Sequence, residues 1–381
     1  MTWKSLPAVV TLALGFAACG GGGGGTPVPP GLVPSPLPTS VPTPTPTPNV
    51  PGVVRLGAFV GGGTDFVGQM AALEQSLVAI NHDNHALALH LHFYGGKPGN
   101  PDFIAGVTTD PSIADDFARG RTPVVTWKCA DKLSTLASGA DDAAYIIPVA
   151  QALKALPGTV RLRFFHEFEL NLTDGLNAEG EVPNGQYQDC FDAYNPTLTI
   201  AQNVPAESAE FIQAWQHIHA VFAAQGVTNV AWVWNPGGAV SAVANDSLMS
   251  FFPGVSDVDW IAGDFYDKPI GVCAGSGFAS IVSPFYTMAH TSYPNIPIQM
   301  TETGEDQSHG GCASGPSWTQ AQYFADMQAD LPTQFPQVKS IIYFDSQGNA
   351  PYDWILQSSG LTAFAAMAAN PYFTLSTAPA P

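Results

Sequence analysis

From about residue 53 to residue 374, short apolar runs rich in β-branched and aromatic residues alternate with stretches whose apolar positions recur every three or four residues. The runs predict strands at Val54–Val60, Ala86–Phe93, Pro123–Trp127, Val160–Phe165, Val230–Trp234, Val258–Phe265, Pro297–Thr301 and Ser340–Phe344. Helical patterns fall at Ala143–Leu156, Ala209–Gln225, Thr319–Leu331 and Leu361–Ala369. In Ala209–Gln225, the residues Phe211, Ile212, Trp215, Ile218, His219 and Phe222 mark one buried face. Eight strands interleaved with helices, over a stretch too long for most single domains and free of linkers, predict a (β/α)8 TIM barrel spanning residues 52–375. A doubly wound open sheet competes poorly. Gly61-Gly62-Gly63 after the first strand is a turn, not the G-x-G-x-x-G phosphate loop such a sheet would need.

The alternation stops upstream of residue 52. One positive charge in Met1–Lys4, an apolar stretch at Leu6–Phe16, then Ala17-Ala18-Cys19 have the shape of a bacterial export signal. The apolar run is shorter than the ~20 residues a membrane span requires. A cysteine directly after the small pair predicts a lipoprotein: residues 1–18 are removed, and Cys19 carries the lipid that anchors an exported protein to a membrane. Residues 19–51 read as a Gly/Pro/Thr-rich linker. At ~3.1 Å per residue its Pro-Thr part would reach roughly 70 Å.

Composition narrows the partners. The 381 residues carry 12 Lys+Arg against 31 Asp+Glu, a formal net charge of −19, and only 11% are charged. So sparse and acidic a set leaves no footprint for a phosphate backbone, so nucleic acid is not an expected partner. At 45% hydrophobic the chain can fill a large core, and a monomer is expected.

In a barrel the chemistry sits at the C-terminal ends of the strands. The fourth strand ends in Arg163-Phe164-Phe165-His166-Glu167, the fifth in Trp232-Val233-Trp234-Asn235-Pro236, the sixth in Asp264-Phe265-Tyr266-Asp267 and the seventh in Thr301-Glu302-Thr303-Gly304. Glu167 and Glu302 therefore meet only if the barrel closes. Two facing carboxylates are what retaining glycoside hydrolysis needs, one a protonated acid and the other an ionised nucleophile, about 5–5.5 Å apart. Mutual repulsion and burial would keep one of them protonated.

These residues resemble glycoside hydrolase family 26, whose best-known members are endo-β-1,4-mannanases. The likeness lies in Arg163-x-x-His166-Glu167, in Glu302-Thr303-Gly304, in Val258-Asp259-Trp260-Ile261-Ala262-Gly263-Asp264-Phe265-Tyr266, and in Ala214–His219 and Trp232–Pro236. It implies a polysaccharide or oligosaccharide substrate, β-1,4-mannan first, with β-1,3-xylan or mixed-linkage β-glucan as alternatives, and no cofactor. It further implies Glu167 as acid/base, Glu302 as nucleophile and Tyr266 as the residue that positions Glu302. His166 and Arg163 would support the acid and the sugar, and Trp234 and Trp127 would be stacking platforms. The family usually continues His-Glu-Met-Asn-Gly and soon adds a tryptophan. Here the chain reads His166-Glu167-Phe168-Glu169-Leu170-Asn171, with no tryptophan before Trp215. A non-catalytic glycan-binding barrel is the competing reading from another class.

His90 and His92 share one side of a strand. The later strand ends carry glutamates and aromatics instead of a ligand set, so the pair is read as hydrogen-bonded barrel or rim residues and no metal site is expected. Four cysteines follow Cys19 and allow three pairings. Loops on one rim favour Cys129–Cys190 and Cys273–Cys312 in an exported domain.

Overall fold

The structure is a computed structural model that describes residues 54–61, 65–82, 84–95, 103–129, 131–168, 190–195, 197–238, 248–268, 277–307, 319–348 and 352–378. The expected signal and linker at 1–51, Cys19, Cys273 and Cys312 lie outside these residues.

Eight strands form the barrel: β1 Val54–Val60, β2 Leu89–Tyr94, β3 Thr122–Trp127, β4 Val160–Phe164, β5 Val230–Trp234, β6 Trp260–Asp267, β7 Ile298–Glu305 and β8 Val338–Asp345. Each pairs in parallel with the next, and β1 pairs with both β8 and β2, so the sheet closes into a (β/α)8 barrel. A short β9, Phe373–Thr374, lies beside β1 at the barrel's N-terminal end. Closure depends on Gly57, opposite Leu89. A Cβ at residue 57 would stand 2.5 Å from the Leu89 carbonyl oxygen.

The outer layer includes α1 Phe66–Asn81, α2 Pro111–Ala118, α3 Leu133–Ser138, α4 Ile147–Lys154, α5 Ile200–Ala224, α6 Phe278–Ser292, α7 Gln320–Asp330 and α8 Ser359–Ala369. Helix α5 begins nine residues before its apolar periodicity does. A capping box of Thr199 and Gln202 starts it, and the chain continues through Pro205, which reads as a breaker in sequence. Apolar residues of alternate strand positions pack against the helices. Trp127, Phe164, Phe211, Trp215, Phe222 and Trp232 belong to this buried layer.

His90 and His92 belong to the interface with α2. His90 Nδ1 and His92 Nε2 each meet an oxygen of Asp116, at 2.8 and 2.6 Å, and Arg121 bridges Asp116 to Glu74. All five side chains are buried.

A disulfide joins Cys129, just after β3, to Cys190, which precedes α5, closing a separation of 61 residues. Reducing it is expected to cost about 2–4 kcal/mol, because the unfolded chain regains the freedom the loop removed. Thermal unfolding with and without a reductant measures this. A midpoint unmoved by full reduction would refute the bridge's stabilising role.

Candidate active site

One buried cation organises the C-terminal mouth. Arg163, on β4, is 0% exposed and reaches four other strands or strand ends. Its Nε donates to Thr126 Oγ1 at 2.8 Å and its Nη1 to Asn235 and Asp264, while its Nη2 donates to Glu302 Oε1 at 2.5 Å. Asn235 also donates to Asp264 Oδ2 at 3.0 Å. Tyr266 donates to the other oxygen of Glu302 at 2.6 Å. Each oxygen of Glu302 therefore has its own donor, which fixes the carboxylate in rotation as well as position.

Glu302 owes its direction to a bulge. Gly263 pairs with Met300, but Asp264 pairs with Glu302, so Thr301 is an extra residue in β7. The β8 partner shows the same insertion, with Met300 opposite Ile341 and Thr303 opposite Tyr343. Gln299 and Thr301 already share one side, through a 2.9 Å hydrogen bond. Strict alternation would turn the next residue away. The bulge instead brings Glu302 to the same interior as Arg163.

Glu167 arrives by a different irregularity. Phe165 and Glu167 have φ of 46° and 51°, a left-handed backbone that costs non-glycine residues energy. Two backbone bonds hold the turn, Phe165 N–H to the Trp127 carbonyl and Glu167 N–H to the Asn235 carbonyl. The result places one oxygen each of Glu167, Asp264 and Glu302 within 4.8 Å of one another. Burial first, then the charge of Glu302, pushes Glu167 up to about 7, with Arg163 and Lys268 opposing. The same two causes, burial then Glu302, hold Asp264 well above the carboxylate range, and Asp264 hydrogen-bonds Glu167. Burial and the cations Arg163 and Lys128 hold His166 well below its usual range, so its imidazole is neutral.

Two expectations need correction. Trp127 and Trp234 are both 0% exposed and offer no face to a sugar. The alternation of strand residues explains this. Thr126 and Asn235 contact Arg163 inside the barrel, so their neighbours turn outward. Trp127 packs on Tyr145, Phe164 and Phe222, and Trp234 on Phe168 and Phe252. The accessible aromatic surface lies elsewhere. Half-buried Phe59, Phe93 and Phe344, near the ends of β1, β2 and β8, form a wall in which Phe59 stacks on Phe344 at 4.6 Å and meets Phe93 edge-on at 5.1 Å. Phe93 adjoins His166, and Phe344 adjoins Tyr266.

Two groups have metal-ligand spacing among the described residues: His90, His92 and Asp116, and the three carboxylates of the mouth. In both an arginine is already bound. Arg121 lies 3.1 Å from Asp116, and Arg163 bonds both Asp264 and Glu302, so each cluster has its cation.

The arrangement can be set beside known proteins. No family model matches the chain. A family 26 β-mannanase from Bacteroides ovatus superposes over 85% of this chain and 90% of its own, with a TM-score of 0.55 at 14% identity. An endo-β-1,4-mannanase from Cellulomonas fimi covers 84% and 72%, with a TM-score of 0.53 at 16% identity. The fold is the one those family 26 enzymes share. A broad-specificity endoglucanase of family 5 from an uncultured bacterium also superposes, at a TM-score of 0.52 and 12% identity, so the barrel alone does not separate the two families. In sequence, Endoglucanase H of Acetivibrio thermocellus is 24% identical over 246 residues. The match takes in 64% of this chain and spans 23% of the relative's length.

Sequence reasoning missed Asp264, Asn235 and the phenylalanine wall. Asp264 and Asn235 stood in the quoted strand-end motifs. Their spacing from Tyr266 and from the outward Trp234 was the available signal.

Proposed function

We propose that the chain is a retaining glycoside hydrolase that cleaves internal β-linkages of a neutral polysaccharide, β-1,4-mannan in the first place. The observation that carries this is that Glu167 and Glu302 bring carboxylate oxygens within 4.8 Å of each other beside Arg163, closer than the roughly 6.5–9.5 Å that an inverting pair needs for its water. Glu302, gripped by Arg163 and Tyr266, attacks the anomeric carbon. Glu167, proton-bearing near neutral pH, protonates the departing oxygen and then activates the water that releases the sugar. Asp264 supplies a hydrogen bond to Glu167 and is a positioning residue. The sugar lies against the wall of Phe59, Phe93 and Phe344, which takes the place of the absent tryptophan.

The mannanase names of the superposing structures support mannan, and the endoglucanase relative keeps mixed-linkage β-glucan as a second reading. The N-terminal signal supports export and anchoring through Cys19. The test is a reducing-end assay over mannan, glucomannan, mixed-linkage β-glucan and β-1,3-xylan, with the anomeric form of the first product read by NMR. Release of β-configured oligosaccharides from mannan is expected. Hydrolysis of none of the four, or an α-configured first product, would overturn the reading.

A further inference from the structure

The opposite mouth of the barrel holds a second concentration of positive charge. Arg55 and Arg161 are the second residues of β1 and β4. Thr122, Trp260, Gln299 and Ser340 stand among the first three residues of β3, β6, β7 and β8, so all six share one layer at the strand starts.

The other described arginines have acids. Arg119 pairs with Asp115, Arg121 with Glu74, Asp115 and Asp116, and Arg163 with Asp264 and Glu302. Among the described residues, Arg55 and Arg161 bond only neutral groups. Arg55 Nη2 donates to the Ala88 carbonyl and to Thr122 Oγ1, each at 3.0 Å. Arg161 Nη1 donates to Ser340 Oγ at 2.6 Å and to Gln299 Oε1. The Arg161 guanidinium lies 3.7 Å over the Trp260 ring and is only 4% exposed.

Two cations close enough to repel, one of them buried, without a carboxylate, are costly to a fold. Burial and then the charge of Arg55 push Arg161 down to about 9, which reports the same deficit. The Trp260 face offsets part of it. The contrast is sharp in a chain whose acids outnumber its bases 31 to 12. The fold could have placed an acid at Gln299 or Ser340 and instead presents a neutral acceptor and a hydroxyl. Guanidinium forks and hydroxyls together suit a small tetrahedral oxyanion. Arg55 is half-buried, which leaves a way in.

We propose that Arg55 and Arg161, with Ser340 and Thr122, form a binding site for a small inorganic oxyanion of the phosphate or sulfate kind at the N-terminal mouth of the barrel. The occupied site would act on stability, since it stands at the far end of the barrel from Glu167 and Glu302.

Thermal unfolding of the full chain in sodium phosphate, against sodium chloride at equal ionic strength, tests this. A saturable rise of about 2–5 °C is expected at 100-fold excess over the dissociation constant. Isothermal titration with phosphate should give one site per chain. Arg161→Gln should abolish both. Should that variant not fold, Arg55→Gln, at a half-buried position, should weaken phosphate binding at least tenfold. The absence of binding heat in the wild type, or equal stabilisation of wild type and Arg55→Gln, would overturn the proposal. Neither outcome depends on whether the opposite mouth hydrolyses a glycan.

Discussion

Glu302→Ala is expected to lose at least about 10⁴-fold in turnover on every substrate, because in the proposed mechanism it removes the group that forms the covalent intermediate. Glu167→Ala should lose about 10²–10⁴-fold on polysaccharide. It should lose far less on aryl glycosides whose leaving groups need no proton, and azide should then restore turnover by attacking the glycosyl-enzyme. Tyr266→Phe leaves Arg163 in place on Glu302 and should cost less than either. The pH profile carries a further sign. Glu167 must hold its proton to act as acid, and burial beside Glu302 raises it to about 7. The wild-type rate on polysaccharide should therefore fall as pH rises through about 7. Activated aryl glycosides should escape that fall in their first chemical step. Comparing single-turnover rates on both substrate types against pH checks the assignment. A Glu302→Ala protein that keeps substantial activity would defeat it.

Glu305→Gln is expected to stabilise the protein at neutral and alkaline pH. Glu305 is 0% exposed, at the end of β7, and its side chain hydrogen-bonds Asp267. Burial, then the negative charge of Asp267 and the hydrogen bond to it, and last the charge of Asp306, raise it to about 9. The unfolded chain ionises the same group near 4.5. Between those values the unfolded state sheds a proton that the folded state keeps, so Glu305 costs stability that grows as pH rises. The cost grows by about 1.4 kcal/mol per pH unit, roughly 3 kcal/mol by pH 7. Glutamine keeps the shape without the proton linkage. Melting curves of both proteins at pH 5, 7 and 8.5 should nearly coincide at the first and separate progressively. A gap that stays constant with pH would mean that Glu305 is ionised in the fold.

Much of the barrel is legible in the sequence because strand and helix periods differ sharply. Val54–Val60 and Val230–Trp234 match the observed strands residue for residue. Strands β6 and β7 run further than their apolar runs, through Asp267 and Glu305, because the mouth tolerates buried acids that hydropathy reads as a loop. Apolar periodicity predicts helix α5 only from Ala209, whereas the capping box at Thr199 starts it nine residues earlier. The glutamates could be picked out by type and strand-end position. What could not be read was facing. A two-residue period says that neighbours oppose each other, not which one looks inward. Trp127 and Trp234 were assigned to the sugar for their chemistry, while Thr126 and Asn235 held the inward places. The phenylalanine wall had no local mark, since each ring comes from a different strand and each alone reads as core.

The extra residue at Thr301 turns the direction of Glu302 into a matter of counting. Substituting Glu302 changes what is presented to the substrate, whereas removing one residue beside it would change which side chain is presented. A shortened β7 would align Glu302 with the outward rows and hand the interior place to a neighbour, with every acid of the mouth still encoded. Length in this strand is therefore under a constraint that composition is not. A related chain could lose its nucleophile by a single-codon deletion while retaining the residue. Transplanting the mouth into another barrel would likewise require carrying the insertion along with the glutamate.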